Sequence, residues 1–346
     1  MCVILISLCP VVPIEMRTED RGRPETEYGT NADGAETSTT CESAGARTLA
    51  RFARPRADTE TALAVVSDPH VSTAKTGTWK AFHRTEARLR AALADADARG
   101  VDGVVLTGDL TEDGRPDDVE RVADLLGALD APFVAVPGNH DVPKAFDEHE
   151  TPPVASFEAR FTPDGLPFRA RLGGVDVLGL DSATAPDGEL DATHDGEISA
   201  GQREWLDGAL ADAEAPLVVS HHNLPGLDAR VGADGYAPHP PVGDATAFAD
   251  ALAGHDALHV SGHVHLPAAM SGDFRGLICP PLSSFPQAYV LAEIGPGGTT
   301  LRQVPVADEA GLAEARELAR DHSTRSADVC EMVEAQLADL PLVDER

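Results

Sequence analysis

The sequence predicts an α/β domain built on a parallel core, and three observations carry that reading. Five short aliphatic runs rich in β-branched residues, Ala62–Val66, Val104–Leu106, Phe133–Val136, Leu217–Val219 and Ala257–Val260, have the character of buried strands. Amphipathic stretches separate the first three, which makes a strand-helix-strand-helix-strand unit with right-handed crossovers. Each run leads into a short polar motif, so the polar groups should collect at one edge of one sheet, beyond the C-terminal ends of its strands.

The helices follow from apolar spacing and from their stop signals. Trp79–Arg99 places Phe82, Leu89, Leu93 and Ala96 on one face and stops at Gly100. Arg115–Leu129 has Pro116 near its start and turns Val119, Val122, Leu126 and Leu129 inward. Gln202–Leu210 buries Trp205, Leu206 and Leu210. Past Gly138 the alternation loosens. Phe168–Leu172 and Val175–Leu180 read as a hairpin turned at Gly173-Gly174, and Gln287–Ile294 with Thr300–Val306 as another, joined by Gly295 to Gly298. Two insertions, Val142–Pro167 and Asn223–Val242, leave from motif ends and should overhang the site. Glu309–Arg320 and Ala327–Leu340, capped by Asp308 and Ser326, read as amphipathic helices. Their faces, with Leu312, Leu318, Val329, Met332, Val333 and Leu337, are expected to pack on the domain, a homodimer seam being the alternative.

At the N-terminus, Cys2–Ile14 is apolar but too short to span a bilayer and has no basic flank. Met16 to Ala57 shows no periodicity, as expected of a disordered segment. The organisation read from this is a leader over 1–57, with a start that looks like an upstream extension of the reading frame, a main α/β domain over 58–307 and a helical extension over 308–346. The five cysteines form no C-x-x-C pair, which points to a reducing, cytoplasmic setting.

The 346 residues carry 58 Asp and Glu against 27 Lys and Arg, a formal net charge of −31, and the only lysines are Lys75, Lys80 and Lys144. Net negative charge ordinarily argues against a nucleic-acid substrate, although a salt-adapted surface is acidic whatever it binds; no membrane partner is expected. Lysine depletion with an excess of Asp also exceeds what solubility asks for and fits a halophilic cytoplasm with molar salt, where the Debye length is only about 3 Å. Self-repulsion at low ionic strength should then oppose the compact state. The thermal midpoint is expected to rise between about 0.1 and 2 M KCl. A midpoint that stays flat or falls would reduce the acidity to ordinary solubility tuning.

The motifs are Ser67-Asp68-Pro69-His70, Gly108-Asp109-Leu110-Thr111-Glu112, Gly138-Asn139-His140-Asp141, Ser220-His221-His222-Asn223 and Gly262-His263-Val264-His265. Their mixture of Asp, Asn and His suits two divalent metal ions. In order and spacing they resemble the calcineurin-like metallophosphoesterase superfamily, whose pattern runs D-x-H, G-D-x-x-[DE], G-N-H-[DE], one or two His after a strand, and G-H-x-H. The likeness covers about Thr61 to Val306 with no motif missing. It implies two packed mixed β-sheets flanked by helices, a four-layer fold, and hydrolysis of a phosphodiester or small phosphomonoester by a two-metal, bridging-hydroxide mechanism.

Carried over position by position, the resemblance gives one metal to Asp68, His70, Asp109 and His265 and the other to Asp109, Asn139, His221 and His263. Asp109 is the bridging carboxylate in that scheme. Mixed imidazole and oxygen ligation suits Mn, Fe, Zn, Co or Ni better than Ca or Mg. His221 and His222 compete for one place; the family's alignments favour His221, although Asn223 stands where Pro is usual. His140 is expected to hydrogen-bond the phosphate and protonate the leaving group, oriented by Glu112, with Asp113 and Asp141 as alternatives. Lys80, His83 and Arg230 are candidate substrate contacts. His149, His194, His239, His255, His259 and His322 are read as structural. The small bacterial and archaeal branch with cyclic-nucleotide and glycerophosphodiester phosphodiesterases fits best. Asp113 and Asp141-Val142 stand where protein phosphatases carry Arg. A nuclease of the same superfamily, and a scaffold that keeps the fold without catalysis, are the competing readings.

Overall fold

The computed structural model describes residues 45–185, 189–223 and 242–346, all within one compact unit, Ser43–Arg346. In chain order its elements are β1 (Arg47–Phe52), β2 (Thr61–Val66), α1 (Thr85–Arg99), β3 (Gly103–Leu106), α2 (Pro116–Leu126), β4 (Phe133–Ala135), α3 (Val154–Phe161), β5 (Phe168–Leu172) and β6 (Val175–Gly179). Then come α4 (Ala200–Leu210), β7 (Leu217–Val219), α5 (Ala245–Leu252), β8 (Leu258–Ser261), β9 (Ala268–Met270), β10 (Arg275–Ile278), β11 (Ala288–Gly295), β12 (Gly298–Pro305), α6 (Glu309–His322), α7 (Thr324–Ala338) and β13 (Val343–Asp344).

The strands form two mixed sheets, ordered β13-β1-β12-β11-β2-β3-β4 and β5-β6-β7-β8-β10-β9. β2, β3 and β4 pair in parallel, as the strand-helix alternation predicts, and β11 joins them antiparallel. The period of two along each strand decides the layers. Leu63, Val65, Val105 and Val134 point between the sheets, where they meet Val175, Val177, Leu217, Val219, Leu258 and Val260. Their neighbours Ala64, Val66, Val104 and Leu106 point outward against α1, α2 and α3. On the far side, Leu178 and Val218 pack under α4, α5, α6 and α7. The four layers are therefore helix, sheet, sheet, helix.

Three expectations are corrected. The leader ends earlier than residue 57, because β1 pairs antiparallel with β12 and parallel with β13, its Leu49 and Phe52 fully buried. Residues 1–44 lie outside the described residues, as do 224–241 of the second insertion with Arg230 and His239. The polar motifs leave two sheets rather than one: β2, β3 and β4 carry the first three, β7 and β8 the last two. Ser326 is not the cap of the last helix. Ser323 is, in a capping box with Ser326, whose Oγ–H reaches back to the Ala319 carbonyl (2.7 Å) and ties the α6–α7 corner together. The two C-terminal helices bury Ala315, Ala319, Val329, Val333 and Leu337 against the second sheet. α3 and α5 were not expected from the sequence. No helix among the described residues is long and apolar enough to cross a membrane.

Candidate active site

The first three motif loops are stitched together through their backbones. His70 N–H donates to the Asp109 carbonyl (2.9 Å), Val71 N–H to Leu110 O (2.9 Å) and Glu112 N–H to Val71 O (3.0 Å). Asp141 closes the third loop onto the second. Its buried carboxylate accepts from Gly138 N–H (2.9 Å), Leu110 N–H (3.0 Å) and Thr111 N–H (2.9 Å). Asp141 thus faces backbone rather than His140. Burial, joined by the Asp109 charge, pushes its carboxyl up to about 6 against these bonds.

Close approach decides which residues can sit at the loop starts. A Cβ on Gly108 would lie 2.7 Å from Gly138 N and from His221 Nδ1, and one on Gly138 would overlap the backbone N and carboxylate of Asp109. Gly138→Ala is therefore expected to cost about 1–3 kcal/mol in urea unfolding and to weaken metal retention. Unchanged stability and metal content would overturn that. Five of the ten non-glycine residues with positive φ among those described are in these motifs: Asp68 (49°), His70 (43°), Asp109 (52°), His263 (71°) and His265 (58°). Each such conformation costs on the order of 1–3 kcal/mol, the kind of strain that collects at functional sites.

The side chains converge. His70 Nε2 lies 3.1 Å from His265 Nε2 and 3.3 Å from Asp109 Oδ2, and His265 Nε2 lies 3.4 Å from Asp68 Oδ1. On the other side His221 Nε2 is 3.3 Å from the same Asp109 Oδ2. Asp68, His70 and His265, then His70, Asp109 and His140, then Asp68, Asp109 and His221 each form a group able to hold a metal ion. Asn139 Oδ1 accepts from His263 Nδ1–H (2.9 Å), and His263 N–H donates to Asp68 Oδ1 (3.1 Å), which brings the fifth motif against the first and third.

The chemistry of this donor set fits cations. His221 Nδ1–H donates to the Thr107 carbonyl (2.9 Å), which leaves its buried Nε2 facing the cluster, 3.3 Å from Asp109 Oδ2. Burial opposes charge on His221, yet the adjacent Asp109 prevails and pushes the imidazole up to about 9. Burial likewise opposes ionisation of Asp109, but His221, His140 and His70 hold its carboxyl well below the usual range. His265 Nδ1 is engaged by Ser284 Oγ (2.8 Å), which turns its Nε2 toward His70. His222 is different. Its Nε2–H donates to the His194 carbonyl (3.1 Å) and its Nδ1 accepts from Ser182 Oγ (2.9 Å), so both nitrogens are used within the protein.

The carboxylate beside His140 is not the expected one. Glu112 accepts from Lys75 Nζ (2.6 Å), whereas Asp113 Oδ1 lies 3.8 Å from His140 Nδ1. One residue of spacing separates them, and Gly114 follows Asp113 with a φ of 68°. Lys80 reaches the cluster, Nζ 3.1 Å from His70 Nε2, while His83 turns away to Glu314 (3.0 Å). A cavity of about 340 Å³ opens over the centre, lined among others by Trp79, Lys80, Asn139, His140, His194 and Arg325. Two features of that lining were not legible as functional in the sequence. His194 comes from the loop before α4, and His322, Ser323 and Arg325 come from the α6–α7 corner, neither of which carries a motif.

Residues 61–267 match the calcineurin-like phosphoesterase family. The chain belongs to that family. As a calcineurin-like phosphoesterase it is a hydrolase acting on ester bonds. A probable cyclic nucleotide phosphodiesterase of a Synechococcus species is 28% identical over 232 residues, covering 64% of this chain and 82% of the relative. The 3′,5′-cyclic adenosine monophosphate phosphodiesterase of Escherichia coli is 27% identical over 180 residues, 51% of this chain and 58% of its own length. A glycerophosphodiester phosphodiesterase of Enterobacter lignolyticus is 29% identical over 125 residues, 36% of this chain and 42% of its own. Among solved structures, a dimetal phosphatase from Danio rerio superposes with a TM-score of 0.54 at 14% identity, over 72% of this chain and 97% of that one. Its likeness is one of fold.

Proposed function

We propose that this calcineurin-like phosphoesterase is a two-metal phosphodiesterase of small substrates, with cyclic nucleotides as the first class to test. The observation that carries the reading is the shared carboxylate oxygen: Asp109 Oδ2 stands 3.3 Å from His70 Nε2 on one side and 3.3 Å from His221 Nε2 on the other. Asp68, His70, Asp109 and His265 would hold one ion, and Asp109, Asn139, His221 and His263 the second. Mn, Fe, Zn, Co or Ni suits this imidazole and oxygen set. Two such ions, when bound, would supply charge against the phosphoryl oxygens and would acidify a water.

The remaining chemistry belongs to the chain. His140 carries a proton to the leaving oxygen, and Asp113 beside its Nδ1 orients the ring. The His140 backbone N–H, on Asp109 Oδ1 at 2.9 Å, fixes that carboxylate. Lys80 adds a positive charge where the substrate anion enters. The names of the relatives support a small diester, and the cavity volume lies in the range of small-molecule sites. The test is a screen of the purified full chain, in high salt with Mn²⁺, against adenosine 3′,5′-cyclic monophosphate, glycerophosphodiesters, nitrophenyl mono- and diesters and single-stranded DNA. Chelator-sensitive turnover of small diesters is expected. Cleavage of DNA alone would replace the reading with a nuclease, and no turnover with full metal content would replace it with a scaffold.

A further inference from the structure

His194 belongs to none of the five motifs, yet it is built into the site. Its ring stacks on His140 at 5.2 Å between centroids and 20° between planes, and Phe146 meets it in a T-shaped contact at 5.0 Å. Asn139 Nδ2–H donates to its Nδ1 (2.9 Å). An amide nitrogen cannot accept, so Nδ1 is the acceptor and the ring proton resides on Nε2.

The loop that carries it is anchored at several points. Lys144, directly after the third motif, donates through Nζ to the Leu190 carbonyl (2.8 Å) and the Ala183 carbonyl (3.2 Å). His222 holds the His194 carbonyl (3.1 Å), and Glu197 N–H donates to Ser182 O (3.0 Å). Two residues on, Gly196 lies so close under the His222 ring that a Cβ there would overlap it. A ring fixed this firmly, lining the cavity beside Asn139 and His140, has a role other than filling space.

We propose that His194 contacts the substrate: with Nδ1 occupied by the Asn139 amide, it presents Nε2–H to a phosphoryl oxygen in the cavity beside His140. The proposal rests on the phosphoesterase reading above for the identity of the ligand. A preorganised donor of this kind stabilises charge that grows on the phosphoryl oxygens during displacement. It transfers no proton, so its contribution is independent of the leaving group, unlike that of His140.

Two variants separate the ring nitrogens. His194→Asn keeps an acceptor near the Nδ1 position for Asn139 and loses the distal donor, whereas His194→Gln places an amide N–H near the Nε2 position. In the Mn²⁺-loaded full chain, His194→Asn is expected to lower kcat/KM by about 10²-fold, equally for nitrophenyl and alkyl esters, with metal content and thermal midpoint unchanged. Its Kd for inorganic phosphate, from calorimetric titration, should rise about tenfold or more, and His194→Gln should recover part of both losses. Equal phosphate affinity in wild type and His194→Asn, including no binding by either, overturns the proposal, as does loss of metal in the variant. A rate loss that shrinks with nitrophenol as leaving group also overturns it, since that would make His194 an acid. If the wild-type protein hydrolyses no phosphate ester, the functional reading fails on its own, and the phosphate affinities still decide the role of His194.

Discussion

Asp109→Asn should reduce bound metal from about two ions per chain to one or none and lower turnover by orders of magnitude. The substitution is nearly isosteric, so the backbone contacts that place the residue survive. What it removes is charge: an amide presents one neutral oxygen in place of a carboxylate that stands between His70 and His221 at 3.3 Å from each. Metal analysis of the purified variant beside its rate checks both parts. Two retained ions with near-normal turnover would show that Asp109 is not the shared ligand.

His140→Ala should leave the metal complement intact and cost about 10²–10⁴ in rate. The loss should shrink for nitrophenyl esters, whose leaving group departs without a proton. The structure makes this a sharp test, because His140 shares one donor group with His70 and Asp109 and its Nδ1 lies 3.8 Å from Asp113. An emptied metal site in His140→Ala would make His140 a ligand. Asp113→Asn should reproduce a smaller part of the rate loss without affecting metal, while a substitution of Glu112, engaged by Lys75, should not act through His140.

The strand-helix alternation and the five motifs were legible because both are local. A buried strand reads as a β-branched run, and each cluster residue sits one to a few positions beyond such a run. Register followed as well: the hairpin of β11 and β12 closes from Gly295 to Gly298, where the glycine-rich turn stands. The elements that were missed are those defined by distant partners. β1 is six residues long and pairs with strands some 250 to 290 positions away, so nothing in its own neighbourhood marks it. α5, with Phe248 and Leu252 buried under the second sheet, follows a stretch of Gly, Pro and Asp that hides its start.

The sequence by itself determined the class of fold, the family and the set of residues that meet at the centre, because those properties live in short patterns of residue type and spacing. Only the tertiary structure decided which of two neighbours is placed to act. His221 rather than His222 offers a nitrogen to the cluster, since Thr107 occupies one atom of the first ring while Ser182 and His194 occupy both atoms of the second. Asp113 rather than Glu112 stands beside His140, since Lys75 takes the glutamate. His194, Arg325 and the α6–α7 corner reach the cavity from segments with no motif at all. The physical reason is common to these cases. A side chain's role depends on which hydrogen-bonding groups surround it, and those groups arrive from both sheets and from helices far along the chain.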